Sequence, residues 1–395
     1  MRMNVAYYHS AISLLEQASS SAGFVAAVNE QDNYRRVWTR DGVICSIAAL
    51  LSKETQLVTT ALATLHTLFT HQHSAGFMPS NVHPVSGAVS YGGVAGRADA
   101  PAWAVIGVCL YTLHTGDDEP AIQYRQQVEK CIAVMDAWEF NGRHLVYVPQ
   151  SGDWADEYIQ HGYVLFDQLL RVWALQLAAH VYRRSDWAEK GAAIAQVINN
   201  NFWKPTQGGT CYSPTVERMW QKTGESSYWL AGFNPSRFYT YFDLQANTLA
   251  LLLNMGNARQ QQQVVGYIHD MLQQYQLVPG FYPVIETGSP DYRELSDNYA
   301  FHFRNRPHEF HNGGLWPVWN GFLVMALAQT GNQALASRLA LSLHQVNQHP
   351  QSPFNECFHG LTALPCGVPQ CAWSAAGSVI AECALSGKFL TTSFT

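Results

Sequence analysis

The 395-residue sequence predicts an all-α protein: an (α/α)6 toroid of six inner and six outer helices with long loops at one mouth. Two observations carry that prediction. Helical periodicity dominates the chain, and strand-like alternation is confined to short pieces such as 144–149 and 209–217. The helices also alternate in composition: 100–114 has no Asp, Glu, Lys or Arg, 117–137 has seven, and 314–329 again has none.

In chain order, the amphipathic stretch 5–20 opens the series and is followed by the apolar 42–52 and the one-sided 54–72. The apolar 100–115 precedes the charged 119–138, and 163–183 precedes 186–203. The pairs 242–255 with 258–276 and 314–330 with 332–348 repeat the pattern, and 370–386, with Glu382 as its one charge, ends it. A helix apolar all round must be buried, whereas a striped one keeps a face in water. Six of each kind therefore imply two concentric rings. The apolar helices start near 42, 100, 163, 242, 314 and 370, a spacing too irregular for a solenoid of identical repeats. The alternative is an open helical solenoid. With no Pro-rich or Gly/Ser-rich linker, residues 1–395 read as one domain.

Composition narrows the function. Charged residues make up 13%, about half the ~25% of an ordinary soluble protein. The 12 Trp, 19 Tyr and 18 Phe raise the aromatic share to 12%, and hydrophobic content of 47% excludes disorder. A formal net charge of −6 excludes a nucleic-acid partner, which requires a basic footprint. MRMNVAYYHSAISLLEQ lacks the continuous apolar run of a signal peptide. The apolar stretches 100–116 and 314–330 contain Gly, Trp and polar residues and belong to the ring, so no membrane association is expected. Eight Cys without a CxxC pair read as free thiols of a cytoplasmic protein.

Chemistry collects just before each apolar helix. The six segments are YRRVWTRDG (34–42), YGGVAGRADAPAW (91–103), SGDWADEYIQHGY (151–163), NPSRFYTYFDL (234–244), RPHEFHNGGLWP (306–317) and FNECFHGLTALPCGVPQCAW (354–373). Each holds a carboxylate and an aromatic ring. Asp99, two residues before Pro101, and Asp41, before Gly42, could each be a helix cap. Capping does not account for Trp38, Trp103, Trp154 and Trp316 nearby, or for the uncharged run His311-Asn312-Gly313-Gly314. Flat rings, neutral donors and paired carboxylates together fit a saccharide, whose C–H faces stack, whose hydroxyls bond, and whose hydrolysis needs an acid and a base.

Other chemistries fit less well. His308-Glu309-Phe310-His311 is one residue short of the i,i+4 spacing of a zinc-binding helix, so no metal is expected. Gly92, Gly93 and Gly96 follow no strand and precede no Lys-Ser/Thr, His71-Gln72-His73 reads as a polar helix end, and there is no GxSxG elbow. No cofactor is expected.

YRRVWTRDG, RADAPAW, PSRFYTYFDLQANTLALL, HNGGLWPV and the Glu356-to-Trp373 stretch, in that order over 34–386, resemble the neutral/alkaline invertases, glycoside hydrolase family 100. The Asp-Ala-Pro-x-Trp element is also similar to amylo-α-1,6-glucosidases and family 63 α-glycosidases. The resemblance implies an (α/α)6 barrel and inverting cleavage of an α-glucosyl bond, with sucrose the first choice of substrate and another α-glucoside the second. It implies Asp99 as general acid and Glu356 as general base, their carboxyls ~6.5–9.5 Å apart to admit water. Arg40 and Asp41 match the loop lining the subsite of the cleaved sugar, Asp156 falls near a third-loop aspartate, and His311, Asn312 and Trp316 match the HNGG loop. Tyr34, Trp38, Arg97, Trp103, Trp154 and Trp373 complete the candidate substrate-binding set. Where the family has a Glu two positions ahead of a Gln, this chain has Asp167-Gln168, with the acid displaced by one. A homo-oligomer is compatible with the resemblance. Three rivals stand beside this reading. Glu309 could be the base, a sugar epimerase could use His302, His308 and His311, and a binding protein would need no opposed carboxylates.

Overall fold

The computed structural model describes residues 5–205 and 210–391. Its first eight helices are α1 (Val5–Gln17), α2 (Thr39–Ser52), α3 (Thr55–Thr70), α4 (Ala100–Thr115), α5 (Glu119–Gln123), α6 (Arg125–Ala137), α7 (Leu165–Tyr182) and α8 (Ser185–Asn201). Then follow α9 (Pro214–Lys222), α10 (Leu244–Leu252), α11 (Ala258–Met271), α12 (Tyr292–Asp297), α13 (Pro317–Gln329), α14 (Gln333–Asn347) and α15 (Ala372–Leu385).

Six of these helices pack in cyclic order. Helix α2 meets α4, α4 meets α7, α7 meets α10, α10 meets α13, α13 meets α15, and α15 returns to α2. All six come from the apolar set, and α10 is buried at every one of its positions. The tightest seam joins α13 to α15. A Cβ on Gly321 would lie 2.2 Å from the Gly377 carbonyl oxygen, so the two backbones touch where both residues lack a side chain. Outside the ring, α3 lies on α2, α6 on α4, α8 on α7, α14 on α13 and α15, and α1 on α15.

The ends of these helices carry their sequence signals. Helix α4 has Pro101 in its first turn and stops at Gly116 in the left-handed conformation. The Asp243 side chain caps α10 by accepting from Ala246 N, and Asn257 with Gln260 forms a capping box on α11.

Several expectations are corrected. The fold is helix-rich rather than all-α, since the mouth loops form short antiparallel sheets. The largest joins Tyr163–Val164, Leu230–Phe233, Phe238–Asp243 and Phe281–Tyr282, so the 242–255 helix begins two residues late because FYTYFD is spent on a strand. The 144–149 stretch makes only the bridge between Val148 and Gly162. In 209–217, residue 209 lies outside the described residues and 214–217 opens α9, where the Ser213 cap and Pro214 override the alternation. The 119–138 helix breaks at Tyr124, whose ring stacks on Phe69 at 4.7 Å. No helix among the described residues is long and apolar enough to cross a membrane.

Candidate active site

The segments leading into five ring helices converge on a cavity of about 780 Å³. Tyr34, Trp38, Arg40 and Asp41 reach it from the start of α2, Arg97 from ahead of α4, and Trp154, Asp156 and Glu157 from ahead of α7. Arg304, His311 and Trp316 enter from ahead of α13, and Glu356 and Trp373 from around the start of α15. The segment ahead of α10 contributes no lining residue. Its carboxylate, Asp243, is occupied in capping. A second hollow of about 750 Å³, between α11 and the turn from α13 to α14, is lined by Gln261, Gln262 and His269 and by no carboxylate.

Glu356 is 4% exposed, and its two oxygens are held from different directions. Tyr34 Oη donates to Oε1 at 2.6 Å and the Val368 amide donates to Oε2 at 3.2 Å. Burial pushes the carboxyl up to about 7, against the opposing pull of the Tyr34 hydrogen bond and the Arg304 charge.

Arg40 joins the other two acids at the floor. Its Nη2 lies 3.3 Å from Asp41 Oδ2, and its Nη1 lies 3.5 Å from Asp99 Oδ2. The guanidinium also sits 5.3 Å from the centre of the Trp373 ring. Asp99 stands at the N-cap position of α4, yet its side chain makes no capping bond. That leaves the carboxylate to Arg40. Burial raises it above the ordinary carboxylate range even though Arg40 and Arg97 pull it down, and burial likewise raises Asp41. Asp99 is itself 2% exposed and is not among the residues lining the cavity, which it contacts through the lining residue Arg40.

Two more ion pairs neutralise the wall. Arg97 Nη2 reaches Asp156 Oδ2 at 2.6 Å, and Arg304 grips Glu157 through two bonds of 3.0 and 3.1 Å. With the charges paired, neutral donors and aromatic faces are left for a ligand. His311 stacks on Trp316 at 5.1 Å, and Trp154 stands edge-on to both. Burial and the neighbouring arginines hold His311 well below the usual imidazole value, so it is neutral near pH 7. Both His311 ring nitrogens, Trp154 Nε1 and Trp373 Nε1 are buried without a protein partner among the described residues. A ligand rich in hydroxyls would satisfy them.

Besides Asp99, two residues of the sequence-derived set are absent from the lining. Trp103 is fully buried one turn into α4, where it meets Trp173 and Trp319; the aromatic signal beside Asp99 is a core-packing signal. Asn312 spends its amide on the Ile285 N–H and C=O and on the Asn305 carbonyl, so it ties the loop down and does not reach the cavity. Glu309 is absent from the lining as well, and it bridges to Asn312.

Sequence reading missed Arg304, seven residues upstream of His311, because nothing local marks it as the partner of Glu157. It also missed a buried acidic group behind the site. Asp153 is pushed up to about 7 and Asp243 to about 8, in both cases chiefly by burial, and Asp167 is raised well above the carboxylate range.

Residues 213–386 match the model of the alkaline and neutral invertase family. No curated protein sequence matches the chain. Among solved structures, a family 63 mannosylglycerate hydrolase from Thermus thermophilus, in complex with Tris and D-glycerate, superposes with a TM-score of 0.66. The identity is 14%, over 95% of this chain and 99% of that one. A bacterial glucoamylase complexed with acarbose gives 0.67 at 13% identity, covering 98% of this chain and 56% of its own. A family 78 rhamnosidase from Bacillus sp. GL1 gives 0.62 at 16%, over 96% and 35%. At such identities these likenesses speak to the fold. The match over 213–386, less than half of the chain, is to a glycoside hydrolase family, and with it the chain reads as a glycoside hydrolase.

Proposed function

We propose that this hydrolase cleaves the α-glucosidic bond of a small saccharide, sucrose first among them, by single displacement with inversion. The observation that carries the reading is Glu356, a buried carboxyl that lines the cavity and accepts from Tyr34, in a cavity also lined by Arg40, the partner of Asp99. Asp99, raised by burial and in contact with the lining residue Arg40, is the proposed proton donor to the leaving oxygen. Glu356, poised near neutrality, takes a proton from the attacking water. The water's oxygen bonds to the anomeric carbon as the glycosidic bond breaks, and the leaving group departs with the Asp99 proton. Trp38, Trp154, Trp316 and Trp373 offer faces to the sugar, while Arg97, Asp156 and His311 offer polar contacts.

The closed cycle of α2, α4, α7, α10, α13 and α15 supports an inner ring, with α1, α3, α6, α8, α11 and α14 as the outer one, in a single (α/α)6 domain.

The test is a panel of sucrose, maltose, isomaltose, trehalose and glucosylglycerate, with NMR of the first sugar released. β-Glucose from sucrose supports both substrate and stereochemistry. α-Glucose would overturn inversion, and release from another member alone would move the substrate.

A further inference from the structure

Glu356 opens a two-stranded hairpin, Cys357–Phe358 against Pro365–Cys366, in which Cys357 and Cys366 are direct cross-strand partners. Their sulfurs are 3.2 Å apart, and the Cys357 thiol also donates to the Cys366 carbonyl. Both are free thiols, Cys357 buried and Cys366 partly open to solvent. Residues facing each other across an antiparallel pair have Cα atoms ~4.5–5.5 Å apart, inside the ~4.4–6.8 Å that a disulfide spans. The hairpin is mechanically tied to the carboxylate. Gly367 follows Cys366, and a Cβ on it would lie 2.7 Å from Glu356 Oε2, while the next amide, Val368, donates to that same oxygen.

We propose that Cys357 and Cys366 form a dithiol–disulfide modification site that shifts the hairpin carrying Glu356. The partly exposed Cys366, as thiolate, attacks one sulfur of a low-molecular-weight disulfide such as oxidised glutathione and expels one glutathione thiolate. The Cys357 thiol then gives up its proton and attacks Cys366 Sγ in the mixed disulfide. The second glutathione leaves as thiolate and takes up a proton. Two protein thiols are oxidised and one disulfide is reduced. Burial raises Cys357 well above the ordinary thiol value, which makes it the resolving partner rather than the first nucleophile.

Closing the bond draws the sulfurs from 3.2 Å to ~2.05 Å, and the displacement passes directly to Glu356 and to the Gly367-Val368 segment against it. Misplacement of a reacting group by ~1 Å can lower turnover ~100-fold. The effect on turnover rests on Glu356 acting as the base, whereas the modification itself does not.

The experiment incubates the full-length reduced protein with oxidised glutathione and reads three signals: alkylation with peptide mapping, hydrogen exchange of amides 354–368, and turnover of the cleaved saccharide. A 357–366 disulfide, altered exchange across the hairpin and a fall in kcat of about ten-fold or more, all reversed by dithiothreitol, are expected. Cys366→Ser should keep the turnover of the reduced protein and resist the oxidant, while Cys211→Ser, at the other partly exposed thiol, should remain sensitive. Absence of the disulfide, unchanged exchange once it has formed, or equal inhibition of Cys366→Ser would each overturn the proposal. A reduced protein that cleaves none of the sugars would instead count against the proposed function, and mapping and exchange would still decide the modification site.

Discussion

Tyr34 Oη donates a 2.6 Å hydrogen bond to Glu356 Oε1, joining the first mouth loop to the last across 322 residues of sequence. The bond stabilises the ionised carboxylate and opposes the burial that lifts Glu356 to about 7. Tyr34 is therefore a positioning residue for the proposed base. A hydrogen bond to a charged acceptor is worth ~1.5–3 kcal/mol, and one pKa unit is ~1.4 kcal/mol. Tyr34→Phe should move the acid limb of kcat/KM upward from near pH 7 by roughly one to two units. Above that limb, kcat should recover most of its value. A limb that stays in place, or moves down, would remove Tyr34 from this role.

The two proposed catalytic carboxyls make a sharper test. Asp99→Asn and Glu356→Gln should each lower kcat by about 100- to 10,000-fold, the range that one acid or base supplies. Glucose affinity, measured calorimetrically, should stay within a few-fold. Arg40 retains Asp41 when Asp99 becomes an amide, so the fold should survive. Glu309→Gln, outside the lining, should leave kcat near the parent value. Loss of turnover there, with activity kept in Glu356→Gln, would transfer the base to Glu309.

Asn312 and Trp103 separate packing from binding. Asn312→Ala deletes three buried hydrogen bonds and strands the Ile285 and Asn305 backbone groups. A loss of ~2–4 kcal/mol of stability is expected. Trp103→Phe should likewise lower Tm, with KM unchanged. A rise in KM for Trp103→Phe without a change in Tm would return that ring to the binding surface.

These two residues also show what the sequence could and could not say. The ring helices were legible because an uncharged 15-residue segment such as 100–114 has one way to avoid water, and their order in the chain is their order in the ring. The lead-in segments were legible as a group, since Trp154, Asp156, His311 and Glu356 do meet in one cavity. Individual roles were not. Trp103 and Trp154 look alike in sequence, but Trp103 sits one turn inside α4 whereas Trp154 lies in the loop ahead of α7. Asn312 and His311 are adjacent, and backbone direction sends one to Ile285 and the other to the cavity. The Arg304–Glu157 and Tyr34–Glu356 pairs span 147 and 322 residues and carry no local signature.

The buried acids behind the site govern stability against pH. Asp243, fully buried, rises from 3.8 to about 8, chiefly by burial. The folded state therefore binds more protons than the unfolded chain between roughly pH 4 and 8, and stability falls as pH rises across that window. Asp153, raised to about 7, acts in the same direction. The melting temperature should be higher near pH 5.5 than near pH 8.5. Asp243→Asn keeps the acceptor that caps α10 through Ala246 N and abolishes the charge. It should exceed the parent protein by roughly 2 kcal/mol at pH 5.5 and by roughly 5 kcal/mol at pH 8.5. Thermal melts of both proteins at the two pH values decide the matter. An unchanged slope in the variant would mean that Asp243 stays ionised in the folded core and draws its compensation from the Gln245 amide, whose nitrogen can turn to within 2.6 Å of Oδ1.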